Sequence, residues 1–139
     1  MVAAVLLAAS GCGEQGPSLA SWAREADDVC AELQVEADLV RPVLFTPPVH
    51  EVLRRSSELS KKEANRLREL PLPSERRTEA RDWLATLDER NTGLDLLATS
   101  VELESSDLGD NIELVGRTTQ DAAEKAASLG LSICRAGVD

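Results

Sequence analysis

Few side chains in this sequence belong to the types that perform chemistry, and their spacing matches no catalytic motif. The chain has three cysteines (Cys12, Cys30 and Cys134) and a single histidine, His50. A nucleophile needs an adjacent base, and a zinc site needs several ligands at fixed spacing. The sequence contains neither pattern, and it has no glycine-rich phosphate loop. We therefore predict a protein that is not an enzyme, with no catalytic residue, no metal site and no cofactor.

Acidic residues form one local cluster, which also lacks the spacing of a known site. The cluster comprises Glu102, Glu104, Asp107, Asp110 and Glu113. Calcium prefers oxygen ligands, but this spacing does not match an EF-hand loop. Asp107 is better explained as the N-cap of a following helix. We interpret the cluster as a solvated connection between two helices.

The charge balance excludes several classes of partner. The chain has 25 acidic and 15 basic residues, a net charge of -10, and only 2% aromatic residues. Such a surface repels phosphate backbones and anionic lipid head groups, and it offers few rings for base stacking. We expect no nucleic-acid binding, and any attachment to a membrane must be hydrophobic.

The N-terminus provides a hydrophobic attachment of this kind. Residues 2–9 (VAAVLLAA) are apolar without interruption, and the small residues Ala9, Ser10 and Gly11 precede Cys12. The run is too short to span a bilayer, but its length is typical of an export signal. The segment resembles the lipobox of bacterial lipoproteins. The resemblance implies a signal peptide over 1–11, cleavage before Cys12, a diacylglycerol and palmitate on that cysteine, and a tether over 12–17.

Other interpretations of this segment stay open at the level of sequence. An ordinary secretory cleavage near Gly11 would release the protein, and a short buried helix or an apolar tail would suit a cytosolic protein. Leu is usual three residues before the cysteine, where this chain has Ala9, and no Lys or Arg precedes Cys12. Because export signals carry a positive first region, we expect the native start to lie upstream.

The lipoprotein resemblance also accounts for the odd number of cysteines. If Cys12 carries lipid, Cys30 and Cys134 remain and are available to pair. Disulfides persist outside the cytosol, so a bond between them agrees with export. The alternative is that both thiols are buried and free. We predict the disulfide, which would close most of the folded chain into one loop.

Apolar residues at helical spacing predict four helices and an all-α domain over 18–139. The first begins near Ser18 or Ser21, and Pro42 ends it; the second runs from about Val49 to Leu70. The third runs from about Ser74 to Ser105, with Gly93 expected to bend it, and the fourth from about Leu108 to Leu129. Short connections favour an up-down-up-down four-helix bundle, with the disulfide joining the first helix to the C-terminal end. The second helix carries a strongly basic face, expected to pair with acidic neighbours or, alternatively, to bind an acidic partner.

Two short motifs give the rest of the chain a family resemblance. They are WAREADDVC (22–30) and AASLGLSIC (126–134), each ending in a cysteine. They are similar to small secreted or lipid-anchored helical proteins of actinobacteria, mostly of uncharacterised function. The resemblance implies an envelope lipoprotein on the extracytoplasmic face of the cell membrane, with a binding or structural role. The alternatives are a small-ligand-binding bundle with a cavity near Trp22 and Trp83, or an accessory subunit of an envelope complex.

Overall fold

The structure is a computed structural model that describes residues 16–40 and 48–136. Five α-helices follow one another, and no strand occurs in these two ranges. They are α1 (Leu19–Val40), α2 (Val49–Glu69), α3 (Arg77–Glu102), α4 (Leu108–Ser128) and the short α5 (Ile133–Ala136). The first four form the predicted up-down-up-down bundle. None of the described helices is long and apolar enough to cross a membrane.

The helix ends follow local signals in the sequence. At the start of α1, the Ser21 N–H donates a hydrogen bond to Ser18 Oγ (3.2 Å), so Ser18 is the cap. Pro71 and Pro73 follow the end of α2 because proline cannot continue a helix. Gly130 ends α4 with a φ of 81°, and the Leu131 N–H donates to the Ala126 carbonyl (3.0 Å). This is a Schellman motif, in which glycine adopts the left-handed conformation without steric cost.

The tightest part of the core lies at the end of the bundle where α1 begins. Trp22 and Trp83 are fully buried and meet edge to face, with ring centroids 5.9 Å apart. Such pairs contribute about 0.5–1.5 kcal/mol beyond their buried area. Leu67 of α2 and the small residues Ala122 and Ala126 of α4 are also buried in this cluster. The two tryptophans are therefore core residues.

Gly93 does not bend the third helix as predicted, and Ile112 is not buried as its place in the helical pattern suggests. Helix α3 passes through Gly93 without a break, and a Cβ there would lie 3.2 Å from Val115 Cγ2 of α4. Gly93 therefore allows α3 and α4 to pack closely and does not interrupt the helix. Ile112, assigned to the apolar face of the fourth helix, is 55% exposed, and Thr118 is buried instead of Thr119.

The predicted pairing of Cys30 and Cys134 is present in the structure. Their sulfur atoms are 2.10 Å apart and their Cα atoms 5.2 Å apart. In an up-down-up-down bundle, the first and last helices are expected to lie side by side. In this structure α1 and α4 are not direct neighbours. Among the described residues, no Cα of α1 lies within 8 Å of one of α4. Helix α5 packs against both and carries Cys134 to α1.

Five basic residues of α2 pair with acidic residues on the neighbouring helices. Three basic residues at heptad spacing pair with three acidic residues at heptad spacing on the antiparallel α3: Arg54 with Glu102, Lys61 with Asp95 (2.5 Å), and Arg68 with Asp88. On the other side, Lys62 pairs with Glu36 (2.8 Å) and Arg66 with Glu32 (2.7 Å) of α1. The ladder fixes the register of the three helices, and the prediction of acidic neighbours is confirmed.

Candidate functional site: a polar interruption in the bundle interior

Polar residues interrupt the inward-facing seams of α2 and α3 at the middle of the bundle. Alternating spacings of three and four residues define these seams, as in packed helix pairs. The seam of α2 reads Leu53, Ser56, Ser60, Glu63, Leu67 and Leu70, and that of α3 reads Trp83, Leu87, Arg90, Leu94, Leu97 and Val101. A carboxylate and a guanidinium thus occupy positions where apolar side chains normally pack.

Glu63 and Arg90 face each other across the two helices. Arg90 Nη2 lies 3.6 Å from Glu63 Oε1, and the two side chains are only 12% (Arg90) and 23% (Glu63) exposed. Arg90 Nη2 also donates a hydrogen bond to Ser60 Oγ (2.6 Å). In the ion pairs made by Arg54, Lys61, Lys62, Arg66, Arg68, Arg76 and Lys125, both side chains are 29% or more exposed. This pair therefore has low solvent screening and a substantial desolvation cost.

Burial changes the acidity of the carboxyl group in this pair. Removal from water raises the pKa of Glu63, and the nearby charge of Arg90 lowers it by less, so the pKa lies above the usual glutamate range. The distance of 3.6 Å between Arg90 Nη2 and Glu63 Oε1 is too long for a hydrogen bond. Arg90 therefore offsets only part of the desolvation cost of the Glu63 carboxylate. The carboxylate is consequently a weak partner for the guanidinium.

Two buried polar atoms of α3 have no hydrogen-bond partner. They are Arg90 Nε and the Oδ1 of Asn91, and the Asn91 side chain is only 4% exposed. An unsatisfied buried polar atom costs about 1–3 kcal/mol. The two residues are consecutive in α3 and point about 100° apart around the helix, so Arg90 Nε is the unused donor at the polar interruption. Such a group can bind a polar ligand, or it can specify how α2 and α3 align.

A second polar arrangement holds the C-terminal segment in place. The carboxylate of Asp27 accepts hydrogen bonds from the N–H groups of Ser132 (2.9 Å), Ile133 (2.9 Å) and Cys134 (3.1 Å), and from Ser132 Oγ (2.8 Å). Partial burial raises the pKa of Asp27, but these hydrogen bonds together outweigh it and hold the pKa below its usual value of 3.8. Asp27 thereby places Cys134 against Cys30, one turn further along α1.

The residues predicted from sequence are dispersed over the molecule. The signal segment 1–11 and tether residues 12–15, which include Cys12, lie outside the described residues. His50 is half-buried at the start of α2. Trp22 and Trp83 pack directly on each other, with ring centroids 5.9 Å apart. The described residues contain no group of three or more His, Cys, Asp or Glu side chains placed to hold a metal ion.

A shallow polar groove lies on the outer side of α3 and α4. Its volume is about 430 Å³, and it is open to solvent. The groove is lined by Glu89, Arg117, Thr118, Gln120, Asp121 and Glu124. Ligand sites are usually enclosed and largely apolar. This groove has neither property, so we do not regard it as the functional site.

Glu63 and Arg90 are not among the residues predicted from sequence, because the spacing of apolar residues does not include charged side chains. The available signal was the interruption itself. Arg90 follows Leu87 by three residues and precedes Leu94 by four, which places it within the apolar seam of α3. A charged residue at such a position needs a buried partner, and Glu63 occupies the equivalent position on α2.

No family model, curated protein or solved structure was found to match the chain.

Proposed function

We propose that this protein is a lipid-anchored envelope protein on the extracytoplasmic face of the cell membrane. The observation that carries the proposal is the apolar run over 2–9, followed by small residues and Cys12. In this proposal, Cys12 carries the lipid and the signal peptide before it is removed, and the helical bundle has a binding or structural role without catalysis.

The disulfide supports export. Cys30 and Cys134 are at bonding distance, and disulfides persist in oxidising compartments. The chain has three cysteines, so the pairing leaves Cys12 as the one available for acylation. The odd cysteine count and the export signal then have a common explanation.

The start of the domain is consistent with a short tether. The Ser74 N–H donates a hydrogen bond to the Pro17 carbonyl (2.9 Å), so the chain is attached to the α2–α3 connection at this point. A Cβ on Gly16 would collide with the Leu72 carbonyl oxygen, which explains the glycine. The four residues between Cys12 and Pro17 span at most about 18 Å. The Trp22–Trp83 end of the bundle would therefore face the membrane.

Detergent phase partition of the exported protein tests the anchor. We expect the native protein in the detergent phase and the Cys12→Ser variant in the aqueous phase, because one buried CH₂ contributes about 0.8 kcal/mol to membrane binding. Cys30→Ser with Cys134→Ser is the matched control and should still partition into detergent. Identical aqueous partition of native protein and Cys12→Ser would exclude lipidation.

One observation favours a second candidate function, the binding of a small ligand within the bundle. It is the Glu63–Arg90 pair, in which the buried Arg90 Nε has no hydrogen-bond partner. The accessory-subunit alternative has no such support. The exposed large apolar residues, Val35, Val49, Leu96, Leu103 and Ile112, are distributed over several elements, and single exposed apolar side chains are common on monomers.

A further inference from the structure

Arg90 has the chemistry of an oxyanion receptor. A guanidinium carries five N–H donors in a planar fork that matches the two oxygens of a carboxylate. One of these donors makes a short hydrogen bond, to Ser60 Oγ, and Nε is buried without a partner. The side chain therefore retains capacity to bind a second oxyanion at this position.

The partner of Arg90 within the domain can be replaced. Glu63 approaches only to 3.6 Å, and burial raises the pKa of this carboxyl group. A group that resists ionisation loses little when an incoming oxyanion takes the guanidinium. Because Glu63 is part of the chain and cannot leave, an incoming carboxylate keeps the net charge beside Arg90 unchanged only when Glu63 takes up one proton, which its raised pKa favours.

Apolar side chains continue from Arg90 toward the α3–α4 connection. Leu94, Leu97 and Val101 follow it along the seam, and all three are half-buried, whereas Leu87 on the other side is 2% exposed. Leu53 of α2, also half-buried, lies in the same half of the bundle. The seam is therefore apolar and partly accessible on the side of Arg90 away from the tryptophans.

We propose that this interior seam binds an amphipathic acid of the fatty-acid class. The carboxylate head accepts hydrogen bonds from the Arg90 guanidinium, and the hydrocarbon chain lies along Leu94, Leu97 and Val101. The proposal gives a ligand class to the second candidate function and rests on it. It is independent of the Cys12 anchor, which the partition assay tests separately.

Isothermal titration calorimetry with dodecanoate tests the proposal. The sample is the exported, oxidised full chain carrying Cys12→Ser, so that attached lipid does not interfere. We expect saturable binding that Arg90→Met weakens by about tenfold or more, the equivalent of one charge-assisted hydrogen bond. Arg54→Met, which removes an exposed arginine of the same helix pair, is the matched control and should bind as the parent protein does.

A second variant separates recognition from folding. Glu63→Gln removes the competing carboxylate, so dodecanoate should bind more tightly, whereas a misfolded protein would bind more weakly. Absence of saturable binding, or equal affinity of the parent protein and Arg90→Met, would overturn the proposal. Equal affinity for dodecanol would refute acid recognition but leave a ligand-binding bundle. Displacement of dodecanoate by acetate or inorganic phosphate at similar concentration would show that only an oxyanion is bound.

Discussion

Replacement of Asp27 by alanine tests how the C-terminal segment is attached to the bundle. One carboxylate accepts hydrogen bonds from three backbone N–H groups and one hydroxyl group, all within 3.1 Å. Because the site is partly solvated, we assign about 0.5–1 kcal/mol to each donor, the lower end for hydrogen bonds. The sum predicts that Asp27→Ala lowers the free energy of unfolding by about 2–4 kcal/mol.

The assay is denaturant unfolding of the oxidised protein, followed by tryptophan fluorescence. Trp22 lies five residues before Asp27 on α1 and is fully buried, so its emission reports loss of the core. Hydrogen exchange at the amides of Ser132, Ile133 and Cys134 gives a local measurement. We expect these amides to exchange faster in Asp27→Ala even under conditions where the bundle stays folded, because the disulfide holds only Cys134.

The neighbouring acid provides a matched control. Asp28 is exposed, and replacing it by alanine should change stability by no more than about 0.5 kcal/mol. If Asp27→Ala also falls within that range and the three amides exchange at their original rates, the carboxylate does not dock the segment. The position of Cys134 would then depend on the disulfide and on apolar packing alone.

Further predictions follow from charge, backbone conformation and the disulfide. Because the pKa of Asp27 is lowered by folding, its contribution to stability is present above the unfolded value of 3.8 and is lost as the pH falls through the folded value; an acid titration of stability should show a smaller loss in Asp27→Asn. Glu63→Leu combined with Arg90→Met should raise the free energy of unfolding by about 1–4 kcal/mol, whereas Arg90→Met alone should lower it, as calorimetry can determine. Glu104 has a φ of 50° where α4 has Gly130, so Glu104→Gly should stabilise by about 0.5–1 kcal/mol and Gly130→Ala should destabilise by a similar amount in denaturant titrations. Reduction of the disulfide should remove about 4.7 kcal/mol in the chain-entropy model, and an unchanged melting temperature in reductant would contradict this.

The C-terminal ends of α3 and α4 show when a sequence pattern is sufficient to predict where a helix ends. Gly130 directly follows Leu129, the predicted end of the fourth helix, and glycine after an amphipathic stretch favours a left-handed C-terminus. The same motif ends α3, where the Ser105 N–H donates to the Ser100 carbonyl (2.9 Å), but its left-handed residue is Glu104. Glutamate gives no local signal for this conformation. The end of α3 was accordingly predicted only approximately.

The candidate site was less accessible to sequence analysis than the fold. The charged residues that pair between α2 and α3 recur at heptad spacing in the sequence of each helix. Their pairing can be predicted only when the two helices are known to be antiparallel neighbours. The partial burial of Glu63 and Arg90 depends on α2, α3 and their surroundings together. The sequence of either helix alone does not show that these two side chains are mostly buried.

Composition, helical periodicity and helix-end signals determined by themselves that this chain forms an all-α bundle, because each depends on residues close together in the chain. The cysteine count and the export-like segment also predicted which two cysteines would pair. Only the tertiary structure decided that α5 lies between α1 and α4, that Asp27 docks it, and that a guanidinium is enclosed within the seam. These features join residues far apart in sequence, and their energies depend on distance and burial.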